Sequence, residues 1–183
     1  MLHQALMSLV LEKKYEAITV REILDRADVG RSTFYTHFQD KDELLRDGLH
    51  HLNYFLRSTH AASTGVSGKS YEGIVDFGLP LFEHANEYRA VIRALLGSSA
   101  ETVVRQHIQS LAISIVSQRV KFEMHRHKCV RCQISAELLT HFLVSTYISV
   151  LTWWLNAKNP LPPKDIDGAY RTLVLPCLGS IFG

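Results

Sequence analysis

The segment 18–45 constrains the fold most, because it contains two helix-start signals with one sharp break between them. Thr19 and Glu22 have the spacing of a capping box, in which each side chain satisfies a backbone N–H group at the start of a helix. Asp28 and Gly30 interrupt the helical pattern that follows, since aspartate tolerates the left-handed conformation and glycine is an acceptable helix start. The segment therefore predicts two helices joined by a tight turn.

Further helices are predicted on both sides of this turn. The apolar residues of 2–10 recur at the spacing of one helix face, and Phe34 and Phe38 lie one turn apart in a short helix over 31–38. A longer helix is predicted over 41–60. Short helices joined by tight turns are the helix-turn-helix arrangement. The exposed face of the helix over 31–38 is rich in side chains that can donate to phosphates and base edges.

The rest of the chain also has helical periodicity, and no alternating pattern of the kind that predicts a strand competes with it. A small, polar, glycine-containing stretch over 61–69 is predicted to be a loop. Predicted helices cover 71–82, with an interruption near Pro80, then 87–96, 100–127, 135–157 and 165–180. The predicted fold class is therefore all-α, with a helix-turn-helix domain over 1–48 and a second helical domain over 49–183.

Composition and motifs exclude several classes of protein. The 183 residues are 46% hydrophobic and 21% charged, which is typical of a folded globular chain and unlike a disordered one. Three cysteines are few and odd in number, so we expect a reducing compartment rather than a disulfide framework. We expect no secretory signal. The sequence contains neither a nucleophile–base spacing nor a Gly-rich phosphate loop, so no motif indicates an enzyme.

One segment tests the possibility of a membrane span. Leu138 to Leu155 contains no Asp, Glu, Lys or Arg and reaches the length of a spanning helix. However, His141, Ser145 and Ser149 recur at helical spacing and form a polar stripe. The segment is therefore predicted to be a buried or interface helix, and we expect no membrane partner.

The segment from Ile18 to Leu45 resembles the DNA-binding region of the TetR family of bacterial transcriptional regulators. The matching pattern in this chain is I-T-V-x-x-I-x-x-x-A-x-V-x-R-S-T-F-Y-x-H-F-x-D-K-x-E-L-L, and the resemblance covers residues 1 to about 48. The remaining helices are similar only in layout to the family's ligand-binding and dimerisation domain. The resemblance implies a bacterial, cytoplasmic DNA-binding regulator that needs no cofactor and is not an enzyme.

The resemblance also implies roles for individual residues. Thr19 would cap the first helix of the motif and touch a phosphate, and Lys41 would contact a phosphate at the start of the fourth helix. Four residues of the recognition helix would face base edges or the adjacent backbone: Arg31, Ser32, Thr33 and Thr36. Tyr35 and His37 match positions that commonly hold phosphates. Phe34 and Phe38 would be core residues.

The implied function is that of a homodimeric repressor. It would bind a pseudo-palindromic DNA operator through two recognition helices and be released by a small apolar effector. Residues 1–48 contain nine Asp and Glu against seven Lys and Arg, so DNA affinity must come from a local face rather than a general positive field. This net negative charge leaves a second interpretation open, in which the chain is an interaction protein with a degenerate helix-turn-helix head.

Two further sets of residues are implied for the second domain. Candidate effector-binding residues mix aromatic and apolar walls with a few polar anchors, as ligand pockets do. They are Phe77, Phe82, Tyr88, His107, Leu111, His141 and Ser145. The adjacent Trp153 and Trp154 point about 100° apart on a helix, so one can be buried while the other faces the partner subunit of a dimer.

A cluster of metal-ligand residue types lies near the end of the predicted helix over 100–127. His125, His127, Cys129 and Cys132 are ligand types that zinc accepts, but their spacing matches no standard zinc finger. A metal-responsive or redox-responsive regulator therefore remains an alternative, although we expect no bound metal. Cys177 lies in an apolar terminal segment and is predicted to be a core residue.

Overall fold

The computed structural model describes residues 1–49, 70–127 and 134–183, and within these ranges every regular element is helical. The all-α prediction is thereby confirmed. The α-helices are α1 (Leu2–Glu12), α2 (Val20–Ala27), α3 (Arg31–His37), α4 (described over 41–49), α5 (Gly78–Glu87), α6 (Arg89–Leu96), α7 (Glu101–Arg126), α8 (Ala136–Asn156) and α9 (Pro163–Phe182). Two short 3₁₀ segments cover Tyr15–Ala17 and Ser70–Val75.

The predicted helix over 71–82 is wrong in its boundaries. The chain forms the 3₁₀ segment Ser70–Val75, and α5 then begins at Gly78. Pro80 does not interrupt a helix but lies in the first turn of α5. A proline is tolerated there because the N–H groups of the first turn have no intrahelical acceptor.

Prolines also mark both the start and the interior of α9. Pro163 occupies the first turn of the helix, where its fixed φ favours helix initiation. Pro176 lies inside α9, where a proline removes one intrahelical hydrogen bond. Both Pro176 and Thr172, whose carbonyl loses its intrahelical donor, are exposed. Water can therefore satisfy the freed carbonyl group.

The first compact unit comprises residues 1–49 and 88–108. Its core contains side chains from four helices that are fully buried, among them Leu6, Ile23, Phe34 and Leu44. α1 packs against α2 and also against α6. The helix-turn-helix segment therefore shares one core with α6.

The second compact unit comprises residues 70–87, 109–127 and 134–183, in which α5 packs against α8 and α9. Its centre is Tyr147, which is fully buried and donates a hydrogen bond to the carbonyl of Gly78 at 2.9 Å. The rings of Phe77, Phe82 and Tyr170 surround it, with centroid distances of 4.9, 4.8 and 5.2 Å. Aromatic packing at these distances stabilises the unit from within.

Candidate nucleic-acid interface

The turn between α2 and α3 has the geometry that the sequence predicts. The Thr19 hydroxyl accepts from the backbone N–H of Glu22 at 3.3 Å, and the Thr19 backbone N–H donates to the Glu22 carboxylate at 2.9 Å. Asp28 ends α2 in the left-handed conformation, with φ 53° and ψ 49°. Gly30 precedes α3 in an extended conformation. Local side-chain chemistry therefore positions α3 relative to α2.

The α3 helix presents a polar, exposed face on a buried aromatic anchor. Phe34 is fully buried and its backbone carbonyl accepts from Phe38 N–H, which ends the helix. The other six residues of α3 are all exposed, namely Arg31, Ser32, Thr33, Tyr35, Thr36 and His37. Six of the eight side chains predicted to contact DNA thus lie on one short helix and are accessible.

Thr19 is exposed but its side chain already has two internal partners. Its hydroxyl donates to the Glu22 carboxylate at 2.8 Å in addition to accepting from the Glu22 N–H. Lys13 also donates to this carboxylate, and the hydrogen bonds from Lys13 and Thr19 lower the pKa of Glu22 to about 2. The structure gives Thr19 a capping role, and its phosphate contact stays a prediction.

Lys41 lies in an internal site that the sequence did not reveal. Its ammonium donates to the carbonyls of Tyr15 and Ile18 at 2.7 and 2.8 Å, with a third carbonyl, that of Glu16, at 3.5 Å. It also lies 4.6 Å from the centroid of the Tyr15 ring. The Tyr15 hydroxyl donates to Asp42 at 2.6 Å, and burial followed by this hydrogen bond raises the pKa of Tyr15. No local pattern links these partners, because Lys41 and the carbonyls are 23 or more residues apart.

Several other cations of the helix-turn-helix segment form ion pairs. Arg26 donates two hydrogen bonds to Glu12, at 2.7 and 2.9 Å. Lys13 pairs with Glu22, and Arg21 lies 3.7 Å from the carboxylate of Asp25. Arg31 has no ion pair among the described residues, and it is the sole Lys or Arg of α3. The positive charge available on α3 is therefore concentrated at one side chain.

Comparison with protein-family models decides the family. The model for bacterial regulatory proteins of the tetR family matches residues 3–47, and a transcriptional regulator C-terminal region model matches residues 75–174. The second match alone covers more than half of the 183-residue chain. The chain belongs to the TetR family.

Individual relatives agree with this assignment. A curated protein of Bacillus subtilis (strain 168), the uncharacterized HTH-type transcriptional regulator YhgD, is 21% identical over 171 residues, which is 91% of this chain and 88% of YhgD. A TetR transcriptional regulator from Streptococcus agalactiae 2603V is 26% identical, with a TM-score of 0.68 over 94% of this chain and 90% of that chain. Thermus thermophilus FadR, solved with lauroyl-CoA, shares the fold at 18% identity, with a TM-score of 0.67 over 95% and 91%.

Membership of the TetR family establishes the general activity. The protein is a DNA-binding transcriptional regulator and not an enzyme, and the helix-turn-helix prediction is confirmed. The family match favours a DNA-binding regulator over the interaction-protein alternative, which rested on the acidic charge of residues 1–48. The structure adds which side chains of the region are accessible and which are held internally.

In this TetR-family protein, the candidate effector-binding residues differ in their surroundings. Phe77 and Phe82 both pack on Tyr147, and Leu111 is also buried. His141 and Ser145 are exposed on α8. The structure places both phenylalanines in the aromatic centre of the second unit.

Tyr88 and His107 belong to the first compact unit. Tyr88 is exposed at the start of α6. The His107 side chain on α7 lies with Nε2 2.8 Å from the backbone carbonyl of Leu49 on α4. The structure thus links His107 to the described end of α4, a role that the sequence did not suggest.

The two adjacent tryptophans of α8 have opposite environments. Trp154 is fully buried and donates from Nε1 to the carbonyl of Leu161 at 2.8 Å, whereas Trp153 is 64% exposed. This agrees with the predicted geometry of one buried and one outward-facing ring. Cys177 is exposed on α9, so its prediction as a core residue is wrong. Other residues of α9, among them Tyr170, Val174 and Leu178, form the buried face, and Cys177 lies outside it.

The His/Cys cluster is only partly described. His125 and His127 are exposed near the end of α7, while Cys129 and Cys132 lie outside the described residues. In the described part of the chain, no group of three or more His, Cys, Asp or Glu side chains could hold a metal ion. The nearest carboxylate to His127 is that of the buried Glu123, 3.7 Å from Nε2. The metal or redox alternative stays a prediction.

One helix, α8, is long and apolar enough to cross a membrane by length and composition alone. Core helices of soluble proteins meet the same criteria, and 44% of the most apolar window of α8 is buried inside the fold. Its buried residues include Tyr147 and Trp154, which hydrogen-bond to other parts of the same unit. This arrangement fits the predicted buried or interface helix.

Proposed function

We propose that this TetR-family regulator is a homodimeric repressor that binds a pseudo-palindromic operator and is released by a small apolar effector. The observation that carries the proposal is the polar α3 face, fixed by the buried Phe34 and the capped turn between α2 and α3. In this proposal Arg31, Ser32, Thr33 and Thr36 contact base edges or the adjacent backbone. Tyr35 and His37 contact phosphates. Such a regulator would act in the bacterial cytoplasm.

The proposal assigns residues 1–48 to DNA binding and 49–183 to effector binding and dimerisation. Two contacts inside the first compact unit suggest how the two parts communicate. His107 lies 2.8 Å from the Leu49 carbonyl. The pKa of Glu16 is lowered by hydrogen bonds from its own backbone N–H and from that of Ser99, in the turn between α6 and α7. The first contact joins α7 to α4, and the second joins the turn between α6 and α7 to Glu16 of the DNA-binding segment, so an effector that moves α6 and α7 would shift that segment.

An apolar effector is consistent with the aromatic composition of the second unit. The FadR structure contains lauroyl-CoA, so this fold can accommodate a ligand with an acyl chain. An effector releases DNA only to the extent that it binds the non-binding conformation more tightly. We propose the candidate residues Phe77, Phe82, Tyr88, His107, Leu111, His141 and Ser145 as the starting set for locating its site.

Dimerisation is proposed through the outward faces of α8 and α9, which pack against each other within the chain. On α8, Phe142 and Trp153 are exposed, and on α9 Leu173 is 67% exposed. The exposed residues of α9 beyond Asp165 carry no charged side chain: Gly168, Ala169, Thr172, Leu173, Pro176, Cys177 and Ser180. Exposed large apolar groups on an uncharged helix face are typical of a subunit interface.

The double substitution Trp153→Glu and Leu173→Glu is expected to dissociate the dimer at micromolar concentration. Two carboxylates per chain would have to be buried unpaired at the interface, which is strongly unfavourable. Analytical ultracentrifugation should then report the 20.8 kDa mass of one chain. Operator affinity should fall by about 10²–10⁴, because the second half-site is no longer bound intramolecularly.

The matched control is Leu11→Glu, which introduces the same charge at a side chain of α1 that is 57% exposed. This variant should remain a dimer. If the double variant also remains a dimer, the interface does not lie on α8 and α9.

Selection of the purified protein against a random duplex library, followed by sequencing, tests the operator proposal. Recovered sequences should contain an inverted repeat with half-site centres about one or one and a half helical turns apart, since a dimer places its recognition helices about 34–36 Å apart or at related spacings. Thr36→Glu, which adds a carboxylate to the exposed face of α3, should recover no repeat. Absence of enrichment with folded, dimeric wild-type protein would contradict the proposal.

A further inference from the structure

Arg31 is the sole Lys or Arg of α3, and it forms no ion pair among the described residues. Lys13, Arg26 and Lys41 are held by carboxylates or carbonyls. Arg31 is exposed at the first position of α3. The N-terminal residues of a recognition helix are the ones that reach base edges in the major groove. Arg31 is therefore placed where a side chain can read a base.

The Arg31 side chain is also oriented before any DNA is bound. Its guanidinium carbon lies 5.8 Å from the centroid of the Tyr35 ring, one helical turn further along. Tyr35 packs edge-to-face on the buried Phe34, with centroids 5.3 Å apart and an interplanar angle of 86°. One edge-to-face ring contact and one cation–π contact therefore connect the fully buried Phe34 to the guanidinium. Cation–π contact with a fixed ring restricts the conformations that a long, flexible arginine side chain would otherwise sample.

A guanidinium fork matches one base better than the others. Arginine donates two parallel hydrogen bonds to O6 and N7 of guanine, which is the commonest sequence-specific contact in the major groove. Adenine presents N7 beside an N6 amino donor, so it repels one of the two N–H groups. The planar fork, unlike a lysine ammonium, loses little conformational freedom when it forms both bonds.

We propose that Arg31 reads a guanine in each half-site of the operator and that Tyr35 is the residue that positions it. This inference rests on the proposed operator-binding function and adds the identity of one recognised base. The ring face of Tyr35 serves Arg31, while its hydroxyl, at the ring edge, stays available for the proposed phosphate contact. The two functions of Tyr35 can therefore be separated by substitution.

The experiment repeats the library selection with four variants and measures binding to the selected operator and to versions altered at each base. Arg31→Gln should lower affinity for the guanine-containing operator by about 10- to 100-fold and shift the preference at that one position toward adenine, the base that glutamine pairs with. The control Arg21→Gln removes one cation from α2, where the side chain is 90% exposed, and should leave the base preferences unchanged.

Two tyrosine variants test the positioning role. Tyr35→Phe keeps the ring and should retain the guanine preference while lowering affinity for all sequences alike. Tyr35→Leu removes the ring and should reduce the discrimination against altered bases at the Arg31 position. A general loss of stability would lower affinity but would not change which base is preferred.

Each outcome separates this inference from the function on which it rests. If the wild-type protein selects no inverted repeat, the proposed function fails and the inference fails with it. If a repeat is selected but Arg31→Gln weakens binding equally for every sequence, Arg31 contacts phosphate and the guanine assignment is wrong. If Tyr35→Phe and Tyr35→Leu change base preference equally, Tyr35 does not position Arg31.

Discussion

Replacing Lys41 with methionine is expected to destabilise the protein by about 2–3 kcal/mol while leaving the salt dependence of DNA binding unchanged. Lys41 makes two short hydrogen bonds to the carbonyls of Tyr15 and Ile18. Bonds from a charged donor contribute about 1.5–3 kcal/mol each, and Lys41 is only partly buried, so solvent brings the loss to the lower limit of the sum of the two bonds or below it. Methionine retains the apolar stem but cannot donate.

This result would separate two roles for the same residue. The family resemblance implies a phosphate contact for Lys41, whereas the structure directs its ammonium at the carbonyls of Tyr15, Glu16 and Ile18. Each phosphate contact makes the negative slope of log affinity against log salt concentration steeper by about 0.9. A dimer that lost one contact per subunit would therefore lose about 1.8 from its slope. We expect no such change.

The measurements are chemical denaturation for stability and operator binding across a salt series at a temperature where the variant is fully folded. Lys14→Met is the matched control, because Lys14 is exposed beside the same 3₁₀ segment, and its loss should change stability by less than about 0.5 kcal/mol. A Lys41→Met variant of wild-type stability with a reduced salt slope would show that Lys41 leaves the carbonyls and binds phosphate.

The features that the sequence predicted well are local ones. The capping box of Thr19 and Glu22 and the left-handed Asp28 depend on residues within one helical turn, and such short-range chemistry can be recognised without a structure. The opposite environments of Trp153 and Trp154 follow from the 100° rotation between adjacent helix positions. Each of these predictions needed only the order of neighbouring residues.

The features that could not be predicted depend on contacts between distant residues. The Lys41 ammonium meets carbonyls more than 20 residues earlier in the chain, and His107 meets Leu49 across 58 residues. Phe77 and Phe82 illustrate a different limit. An apolar periodicity shows that a side chain is buried, but a pocket wall and a packed core have the same pattern, and the structure places both rings against Tyr147.

A second network of this long-range kind joins α9 to the start of α5. The Arg171 guanidinium donates to Asp167 at 2.7 Å, to Asp76 at 3.1 Å and to the carbonyl of Val75 at 3.3 Å. The Asp167 side chain is only 8% exposed. A Cβ atom added to Gly78 would lie 2.5 Å from Oδ1 of Asp167. A larger residue at Gly78 would therefore collide with the carboxylate. Arg171 is the cation that compensates this buried charge.

Replacing Arg171 with methionine is expected to destabilise the protein by about 2–4 kcal/mol at pH 7. Removal of one partner leaves the other charge buried and uncompensated, which costs about 3–5 kcal/mol in a fully buried pair and less here, where Arg171 is 27% exposed. The Asp76 and Glu83 carboxylates lie close enough to Asp167 to add repulsion once the guanidinium is gone.

The penalty should depend on pH in a defined direction. Burial raises the pKa of Asp167 above its ordinary value, and the hydrogen bond and charge of Arg171 oppose that shift. The folded state therefore binds the proton more tightly than the unfolded state, and stability falls as the pH rises from about 3.9 through the raised folded pKa. Loss of Arg171 moves this folded pKa higher still. The Arg171→Met penalty should thus be largest at neutral pH and shrink as the pH is lowered through the folded pKa.

Denaturation of wild type and variant at one protein concentration between pH 4.5 and pH 8 provides the test, since dimerisation links stability to concentration. Arg105→Met is the matched control. Its guanidinium lies 2.7 Å from Glu101 at the same i,i+4 spacing, but both side chains are about 40% exposed, so its loss should cost less than about 0.5 kcal/mol at every pH. The double variant Asp167→Asn, Arg171→Met should recover part of the lost stability and lose the pH dependence. A penalty for Arg171→Met that is equal to the control or constant with pH would mean that Asp167 does not remain buried and charged in the native protein.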